Sequence, residues 1–261
     1  MLKYILPLFL AILSFTANAA PYTVTRQYVH PIVTMDKHLN IDDLFTMRSK
    51  KMPKDIKEGK KKYLVGTGSI VVIAPGYALT ANHVVHDNKM KGVELRYYVI
   101  LGDKKLEVKV VKYNKSTDMA LIHGDFKCPC APIAKKDPAL DDEVVTVGYP
   151  LYGVYNLQFA SVGRVQGETS FAYQPKNSNL HTVFVSTASA APGNSGGGSF
   201  ALEDGEYKLV GIVDAIGLEP QKAESPLPVD IFVPVPIHWI VFSNTLTQIR
   251  ELLKGTELSH L

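Results

Sequence analysis

Between about residue 63 and residue 235 the chain reads as short apolar, β-branched runs separated by glycine, proline and acidic turns. Gly66 to Ile73 has the texture of a buried strand, Ala74-Pro75-Gly76 of a turn, and Tyr77 to Thr80 of the strand after it. Glu94 to Leu101 and Leu106 to Tyr113 are rich in β-branched and aromatic residues, and Gly102-Asp103 between them is a tight hairpin signal. Met119 to Ile122 is a short apolar run. Residues 124–142, rich in Pro, Lys and Asp, form the junction between two halves. The second half repeats the texture with Val144 to Gly148, Leu157 to Val165, Thr182 to Ser186, Glu206 to Val213 and Ile231 to Val235. Roughly a dozen short strands with few helices predict an all-β barrel or sandwich. The last segment differs. Pro236 suits a first helical turn, Ile237, Ile240, Val241, Ile249, Leu252 and Leu253 recur at near-helical spacing, and Gly255 is a stop. A C-terminal helix over about residues 236–254 is expected.

Residues 1–19 stand apart from this pattern. Lys3, the apolar run Ile5 to Leu13 and the small residues Ala17-Asn18-Ala19 read as a secretory signal peptide, with a mature chain starting near Ala20. The apolar run is too short for a spanning helix, and no later run is long enough for one. An exported protein, periplasmic or extracellular, is therefore expected. Residues 20–62 read as a basic, loop-rich extension. With 261 residues, 46% of them apolar, the chain is long enough for a sizeable core. A net charge of +3 is too small to imply nucleic-acid binding. The only two cysteines, Cys128 and Cys130, flank Pro129; they are a candidate strained disulfide or two free thiols on a loop, and too few for a zinc site.

Candidate chemistry sits in Ala191-Pro192-Gly193-Asn194-Ser195-Gly196-Gly197. A serine hydroxyl becomes a nucleophile only beside a base, and needs backbone N–H groups facing the oxygen that becomes negative. Glycines beside it allow the close approach this requires. The same residues also make an ordinary surface turn. His83, at a small-residue corner after a strand, is the histidine in the most telling context. Asp118, directly before the run Met119 to Ile122, is expected to be partly buried and hence to have a partner. His83 would be that partner.

Thr80-Ala81-Asn82-His83-Val84, Asp118-Met119-Ala120-Leu121-Ile122 and Gly193 to Gly197, in that order, resemble the three signatures of trypsin-like serine proteases. Gly66 to Ser69, Val147 to Pro150 and Val210 to Ile212 with Ala215-Ile216 are most similar to the bacterial HtrA-type protease domain. The resemblance implies two six-stranded antiparallel β-barrels of the chymotrypsin type. The first would span about 63–124, the second about 143–235, within a protease domain of 63–261. It implies Ser195 as nucleophile, His83 as general base and Asp118 as its orienting carboxylate. Gly193 and Ser195 would supply the oxyanion hole. Protein or peptide substrates follow, with no cofactor and no metal.

Three departures shape the expectation. No PDZ domain is expected after the protease region. Asn194 stands where zymogen-activated relatives carry an aspartate, so activation through a newly cut amino terminus is not expected. Asp214 stands where the trypsin pattern has a serine, so it either meets Asp118 or points to solvent. The pocket is assigned to Ser189, Ala190, Val213, Asp214, Ala215 and Ile216. A neutral Ser189 base and an obstructing Ile216 predict cleavage after small or medium aliphatic residues. A protease-fold binding protein without catalysis and an esterase with the same triad are the rival readings.

Overall fold

The computed structural model describes residues 21–37, 65–86, 94–127, 129–150, 152, 156–171, 180–223 and 231–261. The signal-peptide segment 1–19, the basic run from Arg48 to Lys62 and Cys128 lie outside the described residues. Cys130 is half-buried against the core of the first half.

Twelve strands form two closed antiparallel barrels of six. The first barrel contains β1 (Val29–Asp36), β2 (Val65–Ala74), β3 (Tyr77–Ala81), β4 (Leu95–Leu101), β5 (Lys104–Asn114) and β6 (Met119–His123), in the order β1-β2-β3-β6-β5-β4. The second contains β7 (Glu143–Gly148), β8 (Phe159–Phe171), β9 (His181–Ser186), β10 (Gly198–Glu203), β11 (Glu206–Ala223) and β12 (Ile231–Asn244), in the order β10-β11-β12-β9-β8-β7. Leu101 pairs with Lys104, so Gly102-Asp103 is the two-residue hairpin loop that its sequence predicts. On β5, Leu106, Val108 and Val110 turn inward while Glu107, Lys109 and the half-exposed Val111 face out, the period of two that a barrel wall demands. One core cluster runs through both barrels, from Val71, Leu79 and Leu121 to Phe184, Phe200 and Ile212.

Two boundaries read from the sequence need correction. The extension 20–62 is not wholly loop. Pro21–Tyr28 is a 3-10 helix, and β1 closes the first barrel by pairing with both β2 and β4. Its sequence, Val29-His30-Pro31-Ile32-Val33-Thr34-Met35, hides behind a proline and a basic neighbourhood, yet Ile32 and Met35 are fully buried. The C-terminal helix also starts later. Pro236, Ile237, Ile240 and Val241 belong to β12, which pairs with β11 on one side and β9 on the other. A short apolar run satisfies helical and strand spacing alike, and two open strand edges decide for the strand.

The α-helices among the described residues are α1 (Asn82–Val85), directly after β3, and α2 (Leu246–Leu253). Helix α2 begins at a capping box: the Thr245 N–H donates to Gln248 Oε1 at 2.8 Å. Gln248 Nε2 donates to the Thr182 carbonyl of β9 at 2.8 Å, and the Leu246 N–H donates to Asp137 Oδ1 at 2.8 Å. Leu246, Ile249, Leu252 and Leu253 are buried beneath it. No helix among the described residues is long and apolar enough to cross a membrane. Because Gln248 is buried and joins cap to barrel, Gln248→Ala leaves the Thr245 N–H and the Thr182 carbonyl without partners. A stability loss of about 1–3 kcal/mol is expected in urea denaturation.

Candidate active site

His83 is fixed by the strand that precedes it. β3 ends at Ala81, and the chain turns at once into α1. The Asn82 N–H donates to the Asp118 carbonyl at 2.7 Å, and the His83 N–H to Asp118 Oδ1 at 2.9 Å. The remaining carboxylate oxygen, Oδ2, takes a hydrogen bond from His83 Nδ1. One carboxylate thus holds both the backbone and the ring of the histidine. Asp118 is buried and sits at φ +48°, a left-handed conformation that Asp tolerates better than most residues. The turn before it is built on Asn114 Oδ1, which accepts from the N–H and hydroxyl of Ser116 at 3.0 and 2.6 Å. From the second barrel, Asn244 Nδ2 donates to the Thr117 carbonyl at 2.8 Å.

Ser195 lies on a loop held from both sides. The Asn194 N–H donates to the Ala191 carbonyl at 3.0 Å and Gly193 has φ +102°, so Ala191 to Asn194 is a type II turn with Pro192 and Gly193 at its centre. The Gly196 N–H donates to the Val213 carbonyl at 2.8 Å. Gly196 has φ +84°, and a Cβ there would fall 2.2 Å from the Ser69 carbonyl, so no other residue fits. Ser69 of β2 reaches over from the first barrel. Its N–H donates to the Ser195 carbonyl at 2.8 Å, and its hydroxyl donates to the Gly193 carbonyl at 2.8 Å while accepting from the Tyr149 N–H at 2.8 Å.

His83 and Ser195 line one cavity of about 440 Å³. Ala191, Pro192, Asn194, Val213, Asp214, Ala215, Ile216 and Phe242 complete its wall. Four of the six residues assigned to the pocket from sequence are therefore here. Ser189 and Ala190 are not in the lining: the Ser189 N–H donates to Ser161 Oγ at 2.8 Å, and Ala190 is buried in a cluster with Ala188, Val213 and Val241 behind the wall. Phe242 escaped the sequence reading because it was assigned to the helix; on β12 it pairs with Ala215.

Residues 66–212 match the trypsin-like peptidase domain family. The chain belongs to this family of serine endopeptidases. It is 34% identical over 147 residues to Protease Do-like 2, chloroplastic, of Arabidopsis thaliana; the match covers 54% of this chain and 23% of that protein, so the chain spans about a quarter of its length. Among solved structures, the active form of the Rv3671c protease from M. tuberculosis superposes with a TM-score of 0.60 at 21% identity, over 88% of this chain and 81% of that one. The HtrA-type protease AlgW with a tripeptide gives 0.57 at 22% identity, over 87% and 59%. These two likenesses show the same fold.

In this trypsin-like peptidase the alternatives for Asp214 resolve: it does not face solvent. It is fully buried, its Oδ2 is 2.9 Å from Nε2 of the buried His181, and its carboxyl lies within hydrogen-bonding reach of Asp118. The remaining oxygen, Oδ1, has no donor among the described residues. One atom each of His83, Asp118 and Asp214 lie within 4.8 Å of one another, a spacing compact enough for a cation, though each residue is already engaged with another of the cluster. Burial pushes the Asp214 carboxyl up to about 7; His181 opposes the rise and the neighbouring Asp118 adds to it. His181 was not singled out in the sequence; a histidine opening an alternating strand, His181-Thr182-Val183-Phe184, was its only signal.

The stability consequence has a definite sign. An unfolded aspartate titrates near about 3.9, so the folded peptidase holds this proton more tightly than the unfolded chain. The contribution is complete below about pH 4 and is lost as pH rises through about 7. Relative to Asp214→Asn, which does not titrate, the wild type is expected to lose stability between about pH 4 and 7 and then to level off. Urea midpoints of the two proteins across that range check this.

Proposed function

We propose that this chain is an exported serine endopeptidase that cleaves peptide bonds through Ser195, His83 and Asp118, after small or medium aliphatic residues. The observation that carries the reading is the cavity shared by His83 and Ser195, with the His83 ring already locked by Asp118. With Asp118 on Nδ1, Nε2 is the ring nitrogen that takes the Ser195 proton as the hydroxyl attacks the scissile carbonyl. The imidazolium formed is stabilised by the same carboxylate, and the proton returns to the leaving amine. The carbonyl oxygen becomes negative beside the type II turn, where the N–H groups of Gly193 and Ser195 serve as donors. Each donor of this kind contributes on the order of 10²–10³ in rate. A water then attacks the acyl enzyme along the same route.

Specificity follows from the wall. Val213, Ala215, Ile216, Pro192 and Phe242 are apolar, and the acidic Asp214 is occupied by His181 rather than offered to a basic side chain. Residues 1–19 as a signal peptide assign the mature enzyme to the periplasm or the extracellular space, and a mature N-terminus near Ala20 by mass spectrometry is the expected outcome.

Ser195→Ala is expected to abolish hydrolysis of a peptide library that the wild type cuts after Ala, Val, Ile or Leu. Strong cutting after Lys, Arg or Glu contradicts the assigned specificity. Ile216→Gly is expected to raise cleavage after Phe or Tyr relative to Val by about tenfold or more.

A further inference from the structure

Two buried carboxyl groups with oxygens within 4.8 Å of one another require an explanation in charge. Asp118 is 2% exposed and Asp214 is 0% exposed. Two anions at that separation in a low-dielectric interior repel strongly, so one of the pair holds a proton. Asp118 is the poorer candidate, because both its oxygens already accept hydrogen bonds, from the His83 N–H and from His83 Nδ1. Asp214 has one oxygen engaged with His181 Nε2 and the other without a donor. A proton on that second oxygen would face Asp118 and give that oxygen a partner. The titratable groups that face Asp214 among the described residues are His83 on α1, Asp118 before β6 and His181 on β9.

We infer that Asp214 is a positioning residue of the catalytic site: a neutral carboxylic acid that donates from Oδ1 to the Asp118 carboxylate and accepts at Oδ2 from His181 Nε2–H. The inference rests on the triad reading above and deepens it. His181 fixes the orientation of the Asp214 carboxyl; the Asp214 proton adds a third donor to Asp118; Asp118 in turn aligns His83. No group transfer occurs along this chain, and its protons stay in place through turnover. Loss of the Asp214 proton would remove the donor and set a second negative charge beside Asp118. The alignment of His83 would then suffer, so the activity carries a falling alkaline limb that belongs to Asp214. Burial of that carboxyl brings the transition to near neutrality.

Asp214→Asn and Asp214→Ala separate the donor from the mere filling of space. The Asn amide donates to Asp118 and its carbonyl accepts from His181. At pH 6, Asp214→Asn is expected to keep kcat within about threefold of wild type, whereas Asp214→Ala loses on the order of tenfold to a hundredfold in kcat with KM little changed, as for a removed hydrogen bond to a charged group. The wild-type pH profile of kcat/KM is expected to fall above neutrality and that of Asp214→Asn to stay level. Superposable profiles, or an Asn variant as impaired as the Ala variant, would overturn the inference. Should Asp214→Ala fail to fold, the comparison of wild type with Asp214→Asn still decides. Infrared difference spectra supply a readout without turnover: a protonated carboxylic acid C=O band in wild type at pH 6, absent from Asp214→Asn. A wild type without that band refutes the neutral Asp214 whether or not it cuts peptides. A wild type with the band and no Ser195-dependent hydrolysis refutes the peptidase reading instead.

Discussion

The contact on which the site depends is the reach of Ser69 across the barrel boundary. The Ser195 loop belongs to the second barrel and His83 to the first, so their relation is only as fixed as the seam between them. Ser69 binds the carbonyls of both Ser195 and Gly193 from β2, and through Tyr149 it also holds the end of β7. The Thr80 hydroxyl donates to the Ser69 carbonyl at 2.8 Å, so the strand that leads to His83 is tied to the strand that grips Ser195. Gly196 is required because this approach leaves no room for a Cβ. A second bond crosses the seam on the other side, from Asn244 to the turn that carries Asp118. The continuous core beneath both barrels makes these bonds part of one rigid body of packing.

Charge is the second constraint, and it acts where solvent is absent. Asp118 is buried where it holds the backbone and ring of His83, and burial of a carboxylate is tolerated only with full hydrogen bonding. Here part of that satisfaction comes from another acid, with a buried histidine behind it. The cluster His83, Asp118, Asp214 and His181 joins α1, the turn before β6, β11 and β9. The orientation of His83 therefore draws on strands of both barrels.

Much of the frame was legible from residues. Short β-branched runs and turn dipeptides specified the barrel strands, because strand period and turn chemistry are local properties. His83 and Asp118 were legible together, since a carboxylate before a buried run needs a partner, and the two are bonded in the structure. What was hidden depends on tertiary pairing. β1 carries Pro31 and follows a 3-10 helix, and only its two neighbours make it a strand. The end of β12 imitates a helix until its partners β9 and β11 are known; the Thr245 to Gln248 box was the local sign that the helix starts later. That misplacement concealed Phe242. Ser189 lies off the cavity because its backbone is tied to Ser161 on β8, a partner remote in sequence. The roles of Ser69 and His181 arise from contacts with residues distant in sequence.

The proposed hydrolysis depends on His83 making Ser195 reactive. Labelling with a fluorophosphonate at pH 7, followed by mass spectrometry of the adduct, measures this directly. A single adduct on Ser195 is expected in the wild type, and a labelling rate lower by about a hundredfold or more in His83→Ala. A wild type that takes no label at Ser195, or a His83→Ala variant labelled at the same rate, would contradict it.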